Sequence, residues 1–105
     1  MKSQEVVQHL LKQTEVDINS ADKHGRTPLL LAIEMKSQEV VQHLLRQTEV
    51  ILNLADKGGR TPLHLAAEQG NQVVVRFLLQ RANTNPNLAD KRGRTPLLLA
   101  VAHRN

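Results

Sequence analysis

The sequence predicts an all-α fold, a solenoid of stacked helix pairs. Three observations predict it. First, ADKHGRTPLLLA at 21–32, ADKGGRTPLHLA at 55–66 and ADKRGRTPLLLA at 89–100 align without gaps at a spacing of 34 residues. Second, VVQHLL at 6–11, VVQHLL at 40–45 and VVRFLL at 74–79 form another ladder with the same period. Third, MKSQEVVQHLLKQTEV at the start returns at 35–50, with Arg46 in place of Lys12 as the only change. Two interleaved ladders of one period mark a repeat array.

Each unit reads as turn, helix, turn, helix. Asp-Lys-x-Gly-Arg is turn chemistry: the Asp carboxylate can bond its own backbone, and the Gly supplies positive φ. Thr27, Thr61 and Thr95 then stand at helix N-caps, with Pro28, Pro62 and Pro96 at the first helical position, where a missing N–H costs nothing. The Leu-x-Leu-Ala stretch that follows is a short first helix, ending near Lys36 in one unit and Gly70 in the next. Ser37 and Asn71 suit the caps of a second helix, carrying Val40, Val41, Leu44 and Leu45, or Val74, Val75, Leu78 and Leu79. These i, i+1, i+4, i+5 positions form one apolar face. A single helix pair cannot bury both its faces, so neighbouring units must stack.

Composition agrees with one domain of this kind. The chain has 105 residues, 40% of them apolar, and its only aromatic is Phe77. The core must therefore be built from Leu, Val, Ile and Ala. There is no cysteine, so a disulfide framework and a cysteine zinc site are excluded, and a reducing compartment, cytoplasm or nucleus, is the expectation. No apolar run approaches the ~20 residues of a membrane-spanning helix. A net charge of +4 suits an acidic partner.

The pattern D-x-x-G-x-T-P-L-x-L-A, followed by Val-Val-x-x-Leu-Leu and then Asn before the next Asp, resembles the ankyrin repeat across essentially the whole chain. The resemblance implies antiparallel helix pairs with β-hairpin fingers along one edge. It divides the chain into a half repeat at 1–20 (second helix and exit loop), full repeats at 21–54 and 55–88, and a half repeat at 89–105 (finger and first helix). Three departures carry expectations. The period is one residue longer than is usual for the family. The extra residue falls near 14–15, 48–49 and 83–84, where Thr14, Thr48 and Asn83 replace the usual capping Gly, so the exit from the second helix should differ. The full Thr-Pro-Leu-His motif occurs only at Thr61–His64; Leu30 and Leu98 replace the His elsewhere, which should weaken bonding between units. His9, His43 and Phe77 stand where the family has Leu, and are expected as partly buried packing residues in place of a metal pair, which would need more ligands.

What the resemblance implies about function is non-catalytic protein binding, through finger tips and the concave face of the first helices. The finger candidates are Lys23, His24 and Arg26, then Lys57 and Arg60, then Lys91, Arg92 and Arg94. The concave-face candidates are Ile33, Glu34 and Met35, then Ala67, Glu68 and Gln69, then His103. Packed helices lie about 8–10 Å apart, close to the Debye length of about 8 Å. The finger cations therefore act together on a protein or peptide partner with acidic character. Nucleic acid is the weaker expectation, because aromatics for base stacking are missing. No cofactor and no metal is expected, and no catalytic motif such as G-x-S-x-G, H-E-x-x-H or C-x-x-C occurs. The two half repeats are not polar in the manner of solenoid caps. The chain reads either as an excerpt of a longer array, serving as an architectural spacer, or as a unit that pairs head to tail, residues 103–105 of one copy overlapping 1–3 of the next.

Overall fold

The computed structural model describes residues 3–13 and 16–103, and among these every regular element is a helix. In chain order they are α1 (Ser3–Leu11), α2 (Pro28–Glu34), α3 (Gln38–Leu45), α4 (Pro62–Gln69), α5 (Gln72–Leu79) and α6 (Pro96–Ala102). First helices α2, α4 and α6 pack side by side in one layer; second helices α1, α3 and α5 form the other, and each full unit pairs across the layers as α2 with α3 and α4 with α5.

The caps explain where the helices start. Thr27, Thr61 and Thr95 are extended, and their hydroxyls accept from the N–H groups of Leu30, His64 and Leu98 at 3.2–3.3 Å. Each bond satisfies a donor that the first turn would otherwise orphan. Asn71 caps α5 through its carboxamide, accepting from Val74 N–H. Ser37 adopts nearly the same backbone angles but makes no side-chain cap, contrary to the sequence expectation. Its hydroxyl is one bond shorter than the Asn carboxamide.

The first helices α2 and α4 end in a left-handed turn. Ser37 N–H reaches Ala32 C=O, and Asn71 N–H reaches Ala66 C=O, the long bonds of Schellman motifs. The residues that turn the chain are Lys36 at φ 61° and Gly70 at φ 69°. Second helices leave differently, as the missing glycine predicts. Arg46 and Gln80 keep right-handed angles, and the exit winds through Gln47 N–H to Leu44 C=O and Arg81 N–H to Leu78 C=O. Thr84 adds its hydroxyl to the Leu78 carbonyl at 2.6 Å. The Thr14–Glu15 exit lies outside the described residues, as does most of the overlap of 103–105 with 1–3.

The centre of the core between the layers is aliphatic, formed by Leu29, Leu30, Ile33, Val41, Leu44, Leu65, Val74 and Leu78. Burying one such side chain stabilises the fold by about 1.5–3 kcal/mol, so burial carries the array. Phe77 is half-buried against this core. His43 is half-buried too, but His9 is exposed, which corrects the expectation of paired packing residues. The ring of His43 turns to the carboxamide of Gln8 at 3.0 Å.

Candidate interaction edge

The fingers are built by one carboxylate each. Asp22 Oδ1 accepts from the backbone N–H of His24 and Arg26, and its Oδ2 holds Arg26 Nε at 2.9 Å. Asp56 does the same with Gly58 and Arg60, and Asp90 with Arg92 and Arg94. Backbone N–H donation from Arg26 holds the Asp22 carboxyl below its ordinary range against the opposing effect of burial, with help from His24 N–H and the guanidinium. At Asp90 burial pushes upward, but donation from Arg94, Arg92 and the guanidinium outweighs it. Arg26 is raised in turn by its bonds to Asp22 and Glu34.

Glycine is required at the bend. Gly25 and Gly59 have φ 78°, and a Cβ on either would stand 2.9 Å from the backbone nitrogen of the next finger, Lys57 or Lys91. The fingers therefore stack closely, joined by Lys57 N–H to His24 C=O at 3.1 Å and Lys91 N–H to Gly58 C=O at 2.9 Å. These are tight hairpins joined by single bonds, too short for a regular strand among the described residues.

Geometry divides the predicted finger residues into two sets. Arg26, Arg60 and Arg94 are braces. Besides the Asp of its own finger, Arg26 reaches Glu34 at 3.1 Å and Arg60 reaches Glu68 at 3.7 Å. Lys23, His24, Lys57, Lys91 and Arg92 project from the tips, exposed, and no described carboxylate pairs with them. Between the first two fingers lies a hollow of about 420 Å³, bordered by His24, Arg26, Glu34, Lys57 and Arg60.

The first-helix face is narrower than expected. Ile33 and Ala67 were candidates for it, but both are buried. In so short a helix the i, i+3, i+4 positions that face the core include Ile33, one turn after Leu29 and Leu30, and Ala67, one turn after Leu63 and His64. What remains outward is Leu31, Glu34 and Met35 from one unit and the half-buried Glu68 from the next. Gln69 is occupied within the array, donating its amide to Ile33 C=O at 2.8 Å. His103 bonds Leu99 C=O through Nδ1 and faces Glu68 through Nε2 at 3.7 Å.

Bonds between units include two types that sequence reasoning treated unequally. His64 is fully buried; Thr61 N–H and hydroxyl converge on Nδ1, so Nε2 carries the proton and donates to Arg94 C=O of the next unit at 2.7 Å. Leu30 occupies the equivalent place with apolar burial alone. The Asn that closes the repeat pattern, Asn19 and Asn53, is in the sequence only a marker of the repeat, with no role between units. Asn19 gives its amide to Glu49 C=O and accepts from Ile51 N–H; Asn53 does likewise with Asn83 and Asn85. Their recurrence 34 residues apart, beside the exit loops, is the signal that could have given them that role.

Comparison with protein families matches ankyrin repeats (3 copies) over residues 1–53 and again over 49–105. The chain belongs to the ankyrin-repeat family. Ankyrin repeats are generally protein–protein interaction modules and typically non-catalytic. No curated protein matches the chain significantly.

Proposed function

We propose that this ankyrin-repeat chain is a non-catalytic docking module that takes an acidic peptide or protein segment along its finger tips. The observation that carries the reading is the division of the finger side chains. Aspartates and glutamates hold the inner arginines, and this fixes the fingers while Lys23, His24, Lys57, Lys91 and Arg92 stay exposed at the tips. Positive side chains on a rigid edge, about one Debye length apart, add their potentials and steer an acidic partner. Glu34 and Glu68 beside them set one boundary of the track, since a partner carboxylate is repelled there.

The test is fluorescence anisotropy of a labelled glutamate-rich peptide with the wild-type chain and with Lys57→Glu plus Arg92→Glu. Both positions are exposed and outside the braces, so the fold is retained. Each exposed charge contact is worth about 0.2–1 kcal/mol, so reversing two should weaken binding about tenfold or more. Equal affinity for the two proteins would defeat the edge reading. A duplex DNA arm separates nucleic-acid binding: tight, steeply salt-dependent DNA binding with no peptide binding would favour phosphate contacts instead.

A further inference from the structure

We propose, on the finger-tip docking reading above, that the acidic partner is a polyproline II segment with a carboxylate at every third residue. The basis is a row of one residue type. Lys23, Lys57 and Lys91 occupy the same place in three successive fingers, and all three are exposed. The next tip position is not uniform: it holds His24, Gly58 and Arg92. The lysines alone therefore give the edge a constant charge at a constant interval.

Backbone bonds set that interval. Within each finger the two arms are joined by one bond, Asp22 N–H to Arg26 C=O, Asp56 N–H to Arg60 C=O or Asp90 N–H to Arg94 C=O. Between fingers, Lys57 N–H reaches His24 C=O and Lys91 N–H reaches Gly58 C=O. One finger thus advances the row by two hydrogen-bonded spacings of about 4.8 Å, or about 9.5 Å in all. Gly25 and Gly59 keep the interval this short, since a Cβ on either would stand 2.9 Å from the backbone nitrogen of the next lysine. The tip backbone is fixed as well, because the Asp before each lysine binds the N–H of the residue after it.

Partner conformations meet this interval differently. A polyproline II helix has three residues per turn and rises about 9.3 Å in that turn, so every third side chain returns to the same side. Its misfit to the lysine row is about 0.2 Å per finger. A β-strand returns to the same side every ~6.7 Å, so its second carboxylate stops about 3 Å short of the next lysine. An α-helix needs seven residues, about 10.5 Å, for one step, and a short helix is marginal in water. Polyproline II needs no backbone hydrogen bonds, and proline sets it before docking, so less conformational freedom is lost on binding. The two residues between successive carboxylates face away from the lysines and suit proline. Charge and interval therefore select the same occupant.

Fluorescence anisotropy at low ionic strength tests it with two labelled peptides of one composition, both with blocked ends. One is Glu-Pro-Pro repeated three times; the other is Glu-Glu-Glu followed by six prolines. The spaced peptide reaches three lysines, whereas the clustered carboxylates span about 6 Å and reach one. Two further exposed ion pairs, at about 1.4- to 5-fold each, should make the spaced peptide bind about 2- to 30-fold more tightly. Lys57→Gln, at an exposed position outside the braces, should narrow that gap by removing the middle contact. Equal binding of the two peptides, or tighter binding of the clustered one, would overturn the spacing and leave the acidic-partner edge standing. Binding of the glutamate-rich peptide but of neither proline peptide would overturn the polyproline II form alone. No binding of any acidic peptide would overturn both readings.

Discussion

Lys36 holds a backbone conformation that its repeat neighbour gives to glycine, and exchanging the two residue types tests how much strain the array carries. The relevant geometry is φ 61° at Lys36 and 69° at Gly70, in the same Schellman turn 34 residues apart. A side chain in the left-handed region costs about 1–2 kcal/mol. Glycine removes that cost but adds about 0.4–1 kcal/mol of unfolded-state freedom. Lys36→Gly should therefore stabilise by about 0.5–1 kcal/mol. For a domain of this size that is a rise in Tm of about 2–8 °C, at about 4–8 °C per kcal/mol. The reciprocal change isolates the backbone effect, because a Cβ at Gly70 meets nothing within 4 Å. Gly70→Ala should lower Tm by a similar amount. Thermal unfolding followed by circular dichroism reads both. If Lys36→Gly leaves Tm unchanged or lowers it, strain at this turn is not limiting and the reasoning fails.

Two further perturbations probe the bonds within and between units. Asn53→Ala removes both bonds to the Asn83–Asn85 loop, each worth about 0.5–1.5 kcal/mol net, and should lower urea-unfolding stability by about 1–3 kcal/mol. Asn87→Ala, which breaks no described bond between units, should change little, and equal losses would refute the assigned role. Asp22 and Asp90 are both held below their ordinary value of 3.8. Their contribution is therefore complete above that value and is lost as pH falls through the lower folded-state value. Denaturation midpoints should drop in this acid range, and Asp90→Asn should drop less steeply; identical acid limbs would contradict the finger description.

The fold was legible because its signals are local and repeated. Thr-Pro at 27–28, 61–62 and 95–96 marks each first helix by its own chemistry, and the Val-Val-x-x-Leu-Leu face marks each second helix. What could not be read directly depends on contacts between units. The pairing of Arg26 with Asp22 lies in the finger, outside any helix, and its pairing with Glu34 needs the finger to fold back on the end of α2, so residue spacing alone predicts neither. Ile33 and Ala67 looked like surface positions because the helix sequence does not say how far the core extends around so short an element. Asn19 and Asn53 belong to the repeat pattern, but a loop sequence does not say that their carboxamides bond the exit loop of the next unit, 32 residues on, and so join units as His64 does.

Mapping where an acidic partner touches decides whether the finger tips form the docking edge. Exposed cations also occur on the second helices, at Arg46 and Arg76, so charge alone does not select the fingers. In an amide-resolved NMR titration with a glutamate-rich peptide, the account expects the largest shifts at Lys23–His24, Lys57–Gly58 and Lys91–Arg92, with smaller ones at Glu34 and Met35. Shifts centred on Arg46 and Arg76, or spread evenly over all exposed cations, would contradict it.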